Sequence, residues 1–114
     1  MAQYRIFHVS TLKARPGKRV ESERWWTERG KAMYESVPGV KSVNAYAAQF
    51  GLGSEYQIEV WLELESYSAF DQADQDVASN PQKYAALAET DELFEAGPAR
   101  LVGDWPASDL LSNP

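Results

Sequence analysis

The stretch EYQIEVWLELE, residues 55–65, restricts what this chain can fold into more than any other segment. Tyr56, Ile58, Val60, Leu62 and Leu64 fall on one side of an extended backbone. Gln57, Glu59, Trp61 and Glu63 fall on the other. Alternation at period two is the pattern of a β-strand with one buried face, because successive side chains point to opposite sides of a sheet. The sheet built on this strand therefore has an apolar core face and a second face that carries a tryptophan among carboxylates.

The rest of the chain supplies partners for that core face. YRIFHVSTL, residues 4–12, is rich in β-branched and aromatic residues and reads as a strand. Pro16 and Gly17 end it, and a helix follows from about Lys18 to Ser36. Trp26, Gly30, Met33 and Val37 line one face of that helix at α-helical spacing, and PGV at 38–40 stops it. A strand over residues 40–50 turns back through GLGS into the alternating strand. Ser66 is placed to cap a helix carrying Tyr67, Phe70, Ala73 and Val77. Asn80 and Pro81 break it and start a second piece with Tyr84, Leu87, Ala88 and Phe94 on its apolar face. ARLVGDW, from Ala99, is a final short strand. The order β-α-β-β-α-β is ferredoxin-like, an α+β fold with an antiparallel sheet and both helices on one face. One chain leaves the Trp61 face uncovered, so a homodimer joining two such faces by a two-fold operation is expected.

A chain of 114 residues suits one domain, residues 1–106, with a polar tail over 107–114. The absence of cysteine excludes disulfides, thiol catalysis and cysteine-ligated metal centres. No apolar run approaches the ~20 residues of a membrane helix, and the N-terminus lacks a signal-like pattern, so a cytoplasmic protein with no membrane partner is expected. The net charge is −6, with nine Lys or Arg against four Glu in residues 1–50 and two against thirteen acidic residues in 51–114. The cations of the first half are spread over a strand, a loop and a helix, which reads as solvated surface rather than a nucleic-acid footprint. FGLGS lacks the lysine of a phosphate loop and reads as a hairpin turn. DQADQD, residues 71–76, lacks the glycine and final glutamate of a calcium loop and reads as a solvated helix face. With one histidine, no metal site and no cofactor are expected.

LKARPGKR, the tryptophan-bearing helix, VPGVKSVNAY, YQIEVWLELESYSAFDQ and NPQKYAALAETDELFEAGP occur in the order found in the dimeric α+β barrel superfamily, which the chain resembles from residue 3 to about 105. PGK after the first strand is similar to the antibiotic-biosynthesis monooxygenase-like and NIPSNAP-like families, and the tryptophan helix followed by PGV to the EthD-like family. The resemblance implies two ferredoxin-like chains packed sheet to sheet, with a pocket between each sheet and its helices or loops. It implies activities such as cofactor-independent oxygenation, isomerisation or dehydration. EthD-like chains often carry His-Gly-Pro late in the first helix. Here the stretch is Arg29-Gly30-Lys31, and an arginine is no base at ordinary pH. Haem-binding relatives exist in the wider superfamily, but the mid-strand position of the sole histidine argues against haem here.

Several side chains are candidates for function. His8 is suited to general-base work near neutral pH. If Phe7 and Val9 face the helices, His8 shares the other face with Ile6 and Ser10 and points into the cleft; the alternative is a hydrogen-bonded histidine at the dimer interface. Adjacent helical residues diverge by about 100°, so Trp25 and Trp26 cannot share one narrow stripe. With Trp26 in the core, Trp25 lies near Arg29 and Ala32. There it walls a ligand pocket or covers the broken second helix. Asn44 and Tyr46 share a strand face and could orient a carbonyl or phenol. Trp61 stands between Glu59 and Glu63, which either exchange protons or pair with Arg5, Lys41 or Arg100. The expected function is binding of a small aromatic or hydrophobic metabolite. His8 would be the base of a monooxygenase or isomerase, with Trp25, Arg29, Asn44, Tyr46 and Trp61 holding the substrate. The alternative is a non-catalytic ligand-binding or protein-interaction module.

Overall fold

The computed structural model describes residues 5–48 and 57–106. Five strands form one antiparallel sheet: β1 Ile6–Ala14, β2 Val40–Ala47, β3 Gln57–Leu64, β4 Phe94–Ala96 and β5 Arg100–Gly103. Their order is β2-β3-β1-β4, with β5 also paired to β1, so the last position is one edge strand broken in two. β4 pairs with Leu12–Ala14 and β5 with Ile6–Val9. The break falls at Gly97, whose N–H donates to the Thr11 carbonyl at 2.8 Å. The expected ferredoxin-like α+β order holds. Phe94, however, opens β4 rather than lying on a helix, because its backbone is extended at φ −134°, ψ 151°.

Pairing register fixes the two faces. His8 lies opposite Leu62, which lies opposite Val43, and Leu12 lies opposite Ile58. These residues, with Ile6, Val60 and Leu64, form the helix-side face. Val9 lies opposite Trp61, Trp61 opposite Asn44, and Thr11 opposite Glu59, which faces Tyr46. These form the open face, where Phe7 packs edge-on to Trp61 at 5.3 Å. The expectation that Phe7 and Val9 face the helices is therefore corrected. β1 is apolar on both sides, so its own pattern cannot choose a face; the unambiguous alternation of β3 chooses it through the register. The alternation holds from Ile58 onward, while Tyr56 and the FGLGS turn lie outside the described residues, as do residues 107–114.

The first helical arm is α1 Arg19–Trp25, a π-helical turn Trp26–Gly30 and α2 Lys31–Glu35. Gly39 follows at φ 82°, and a Cβ there would stand 2.6 Å from the Ala69 Cβ, so both backbone conformation and space require glycine. The second arm is α3 Ser68–Ser79, a 3₁₀ turn Ala85–Glu89 and the single turn α4 Thr90–Leu93. Ser66 does not cap α3. Its hydroxyl pairs with that of Ser68 at 2.8 Å, and the helix begins from Tyr67 without a side-chain cap. Within DQADQD, Asp76 is no solvated bystander. It accepts from Lys83 Nζ at 2.7 Å, from Asn80 at 3.0 Å and from the Tyr84 hydroxyl, pinning the end of α3 to the turn that follows. Lys83 and Tyr84 together hold its carboxyl below the usual range. Trp25, Met33, Val37, Val60, Leu62 and Phe94 are the centre of the core between arms and sheet. No helix among the described residues is long and apolar enough to cross a membrane.

Candidate functional site

Trp25, not Trp26, is the buried tryptophan. Trp25 is 0% exposed, whereas Trp26 is half-buried against the edge of the core. The cause is the π-helical turn. The Lys31 N–H donates to the Trp26 carbonyl, five residues back instead of four, which inserts one residue into the helical phase. Gly30, Met33 and Val37 face the core as α-helical spacing predicts, but the residue aligned with them one turn earlier moves from 26 to 25. The indole of Trp25 then lies on Gly30 so closely that a Cβ there would meet its ring atoms at 2.6–2.9 Å. Its Nε1–H donates to the Ala86 carbonyl at 3.1 Å, and Phe94 packs edge-on to it at 5.6 Å. Covering the broken second helix, the alternative role for Trp25, is what the Ala86 bond achieves.

The same arrangement leaves an apolar cavity of about 240 Å³ between the first arm and the β2–β3 side of the sheet. Trp25 and Trp26 line it from the helix, Ala45, Ala47 and Ile58 from the strands. Its polar walls are largely self-contained. The Ser22 hydroxyl donates to the Lys18 carbonyl at 2.7 Å, the Thr27 hydroxyl to the Glu23 carbonyl at 3.1 Å, and Arg19 pairs with Glu23 at 3.6 Å. Of the predicted binding residues, Trp25 lines it, while Tyr46 only borders it, with its ring turned to the open face beside Trp61. Trp26, Arg19 and Thr27 join them although the sequence reading did not select them; the four-residue spacing of Arg19 and Glu23 is the signal that could have pointed there.

His8 lies elsewhere. It faces the helices, with its ring 5.3 Å from that of Phe70, and lines a separate cavity of about 130 Å³ with Tyr34, Leu62, Phe70 and Asp74. The expected direction into a cleft on the far side is thus corrected. Burial lowers its pKa and so favours the neutral ring, an effect that the negative charge of Asp74 partly opposes. Burial likewise raises the pKa of the Tyr34 hydroxyl, so it is protonated beside that neutral ring. Asp74 was legible in principle, because it shares the α3 face that Phe70, Ala73 and Val77 mark at helical spacing.

The other predicted site residues are dispersed. Arg29 extends away from both cavities and forms a two-pronged pair with Glu89, with both bonds at 2.8 Å, tying the π turn to the 3₁₀ turn. Trp61 and Asn44 lie on the open face. Trp61 Nε1–H donates to Glu59 at 3.0 Å, and the Tyr46 ring stands edge-on to it at 6.1 Å. Glu59 pairs with Arg100 at 3.4 Å and Glu63 with Lys41 at 3.5 Å, two of the partnerships anticipated for them. Arg5 binds Asp104 instead, at 3.0 Å. This face carries a shallow basin of about 560 Å³ between these ion pairs and the Phe7–Trp61–Tyr46 aromatics. No group of three or more His, Asp or Glu among the described residues is placed to hold a metal ion.

No protein-family model and no curated protein sequence matches the chain. Solved structures do match. A NIPSNAP family protein from Agrobacterium tumefaciens superimposes with a TM-score of 0.72 at 17% identity, over 95% of this chain and 92% of its own. SnoaB, a cofactor-independent oxygenase from Streptomyces nogalater, superimposes with a TM-score of 0.62 at 14% identity, over 98% and 100%. An EthD family protein from Bacillus halodurans gives 0.63 at 9% identity, over 85% and 96%. At these identities the likeness is one of architecture: the chain has the ferredoxin-like α+β fold seen in NIPSNAP, EthD and antibiotic-biosynthesis monooxygenase-like structures.

Proposed function

We propose that this chain acts as a homodimer that binds a small, mainly apolar metabolite in the cavity beneath Trp26. The observation that carries the reading is the 240 Å³ apolar space, walled by two indoles and kept open by the π turn. π-Helical turns break regular hydrogen bonding and recur at functional sites, and a concave apolar wall with few polar groups is the usual form of a small-molecule site. Trp61, Phe7 and Asn44 serve the dimer in this reading, since their face has no helix layer over it and a two-fold contact would cover it. Light scattering across a dilution series is expected to give twice the chain mass, and Trp61→Glu a monomer. Titration with small aromatic compounds, followed by tryptophan fluorescence, is expected to saturate, and Ala45→Leu, which fills the cavity, to abolish the change. A stable monomer overturns the dimer. Binding indifferent to Ala45→Leu overturns the site.

A second reading has its own observation in its favour. His8 is a neutral imidazole that lines the same cavity as a protonated Tyr34, a pairing suited to taking a proton from a ligand C–H or O–H while a phenol stabilises the resulting oxyanion. The anion would then be reprotonated in an isomerase, or react with dioxygen in an oxygenase like the one SnoaB is named for. This reading supports turnover, whereas the first alone supports a ligand-binding module. The test is His8→Ala with any compound found to be turned over: a fully active variant removes the base.

A further inference from the structure

We propose that the cavity under α3 takes a small alkylammonium ion, with its hydrocarbon body against Leu62, Phe70 and Val77 and its charged head between His8 and Asp74. This goes beyond the second reading: it assigns the size and charge of a ligand, and it holds whether or not His8 moves a proton. Volume sets the size. An apolar cavity of about 150 Å³ accepts benzene, so one of about 130 Å³ takes a body smaller than that ring, a branched chain of about four or five carbons.

The wall sets the charge. Pairing with β3 turns His8 to the helix side, where its ring borders the cavity. Neither imidazole nitrogen has a hydrogen-bond partner among the described residues, yet no buried side-chain nitrogen or oxygen among them is left unpaired. The two nitrogens therefore reach open space on the side of the sheet where the cavity lies. Asp74 reaches the same cavity from α3, one turn after Phe70, and its exposure places it at the mouth. Its carboxylate has no ion pair or hydrogen bond among the described residues, and its charge acts on the imidazole, against the larger effect of burial. A carboxylate only accepts hydrogen bonds, and a neutral imidazole keeps one accepting nitrogen. The remaining polar group, the Tyr34 hydroxyl, accepts as well as donates. No lysine or arginine among the described residues lines the cavity, and the Phe70 ring stands 5.3 Å from that of His8. Two acceptors, one of them fully charged, beside an aromatic face suit an ammonium head. An anion would meet the Asp74 charge with no cation on the wall to offset it. An ammonium would also offset the oxyanion that the second reading forms.

His8 is the sole histidine, so its ring C–H signals in a proton NMR spectrum report on this cavity without further labelling. The experiment titrates isobutylamine, isobutanol and isovalerate, which share one branched body and carry a positive, a neutral and a negative head. Each is added to the native protein, to Asp74→Asn and to Ala73→Leu at about pH 8, where an alkylamine is still protonated, as a lysine side chain is, and the imidazole is not. Isobutylamine is expected to shift the His8 signals saturably and to bind about three- to tenfold more tightly than isobutanol, as a charged hydrogen bond at a partly exposed site allows. Isovalerate should bind more weakly than isobutanol. Asp74→Asn should bring the amine to the level of the alcohol and leave the alcohol unchanged. Ala73→Leu, which fills the cavity, should abolish the binding of both. Isobutanol binding as tightly as isobutylamine, or an amine advantage that survives Asp74→Asn, overturns the charge assignment. Saturable binding that survives Ala73→Leu, or no binding by any of the three, overturns the site. Turnover lost in His8→Ala without an amine preference would keep the second reading and remove this proposal; amine binding without turnover would do the reverse.

Discussion

Replacing each member of the tryptophan pair by alanine tests the phase shift that organises the first helical arm. Trp25→Ala removes a side chain that is 0% exposed, packs on Gly30 and Phe94, and donates to the Ala86 carbonyl. Truncating a buried tryptophan costs about 3–5 kcal/mol, and the orphaned carbonyl places this case at the upper end. Trp26→Ala removes a half-buried ring with no protein hydrogen bond among the described residues, whose neighbours are Trp25 at 6.3 Å and Tyr34 at 6.0 Å. Its cost should stay below about 2 kcal/mol. With a urea slope of about 1–2 kcal/mol/M, Trp25→Ala lowers the unfolding midpoint by about 2–5 M and Trp26→Ala by less than about 1–2 M, at least twofold less at any one slope. Far-UV circular dichroism is the appropriate probe, because both variants alter the fluorescence. If Trp25→Ala does not fold, Trp25→Phe gives the smaller, measurable loss expected from the missing N–H and a partial void. Equal costs, or a larger cost for Trp26→Ala, would mean the arm keeps regular α-helical phase, and the account of the cavity would fall with it.

Gly30→Ala should lower stability by about 1–2 kcal/mol in the same assay, because the added Cβ meets the Trp25 ring at 2.6 Å and overpacking outweighs the roughly 1 kcal/mol helix-propensity gain. A stabilised variant would show that the indole does not rest there. The lowered pKa of His8 means the unfolded chain binds its proton more readily. His8 therefore contributes stability that is fully present above about pH 6.5, and that contribution declines as pH falls below the unfolded pKa. His8→Gln should flatten the loss of stability between pH 7 and 5.5, before the carboxylates titrate; an unchanged slope there contradicts the burial of the ring. Arg29→Ala breaks a two-pronged pair whose members are 46% and 41% exposed, so it should cost under about 1 kcal/mol and leave ligand affinity unchanged. A tenfold loss of affinity would return Arg29 to the site.

Some of this molecule was legible residue by residue. The alternation in β3 sufficed for a strand with one core face, and Trp61 among Glu59 and Glu63 sufficed to mark the other face as unlike it. Gly30, Met33 and Val37 marked the core stripe of the first arm, and the breaks at Pro16–Gly17, Pro38–Gly39 and Asn80–Pro81 bounded the helices. These signals are local: each comes from a spacing or a backbone restriction within a few residues, and together they were enough for the β-α-β-β-α-β order.

What the sequence left open were choices between locally equivalent alternatives. β1 has Ile6 on one face and Phe7 and Val9 on the other, so only its pairing with β3 decided that His8 turns toward Phe70. Either tryptophan could have occupied the core, and one extra residue in the hydrogen-bond ladder at Trp26–Lys31 decided for Trp25. The same cause separated the predicted site. Trp25 lines one cavity, His8 lies under the other arm, and Trp61 with Asn44 and the Tyr46 ring lies across the sheet. Period and propensity determine which elements form, because they act between near neighbours. Register and helical phase determine which side chains meet, and those depend on contacts that exist only once the arms lie against the sheet.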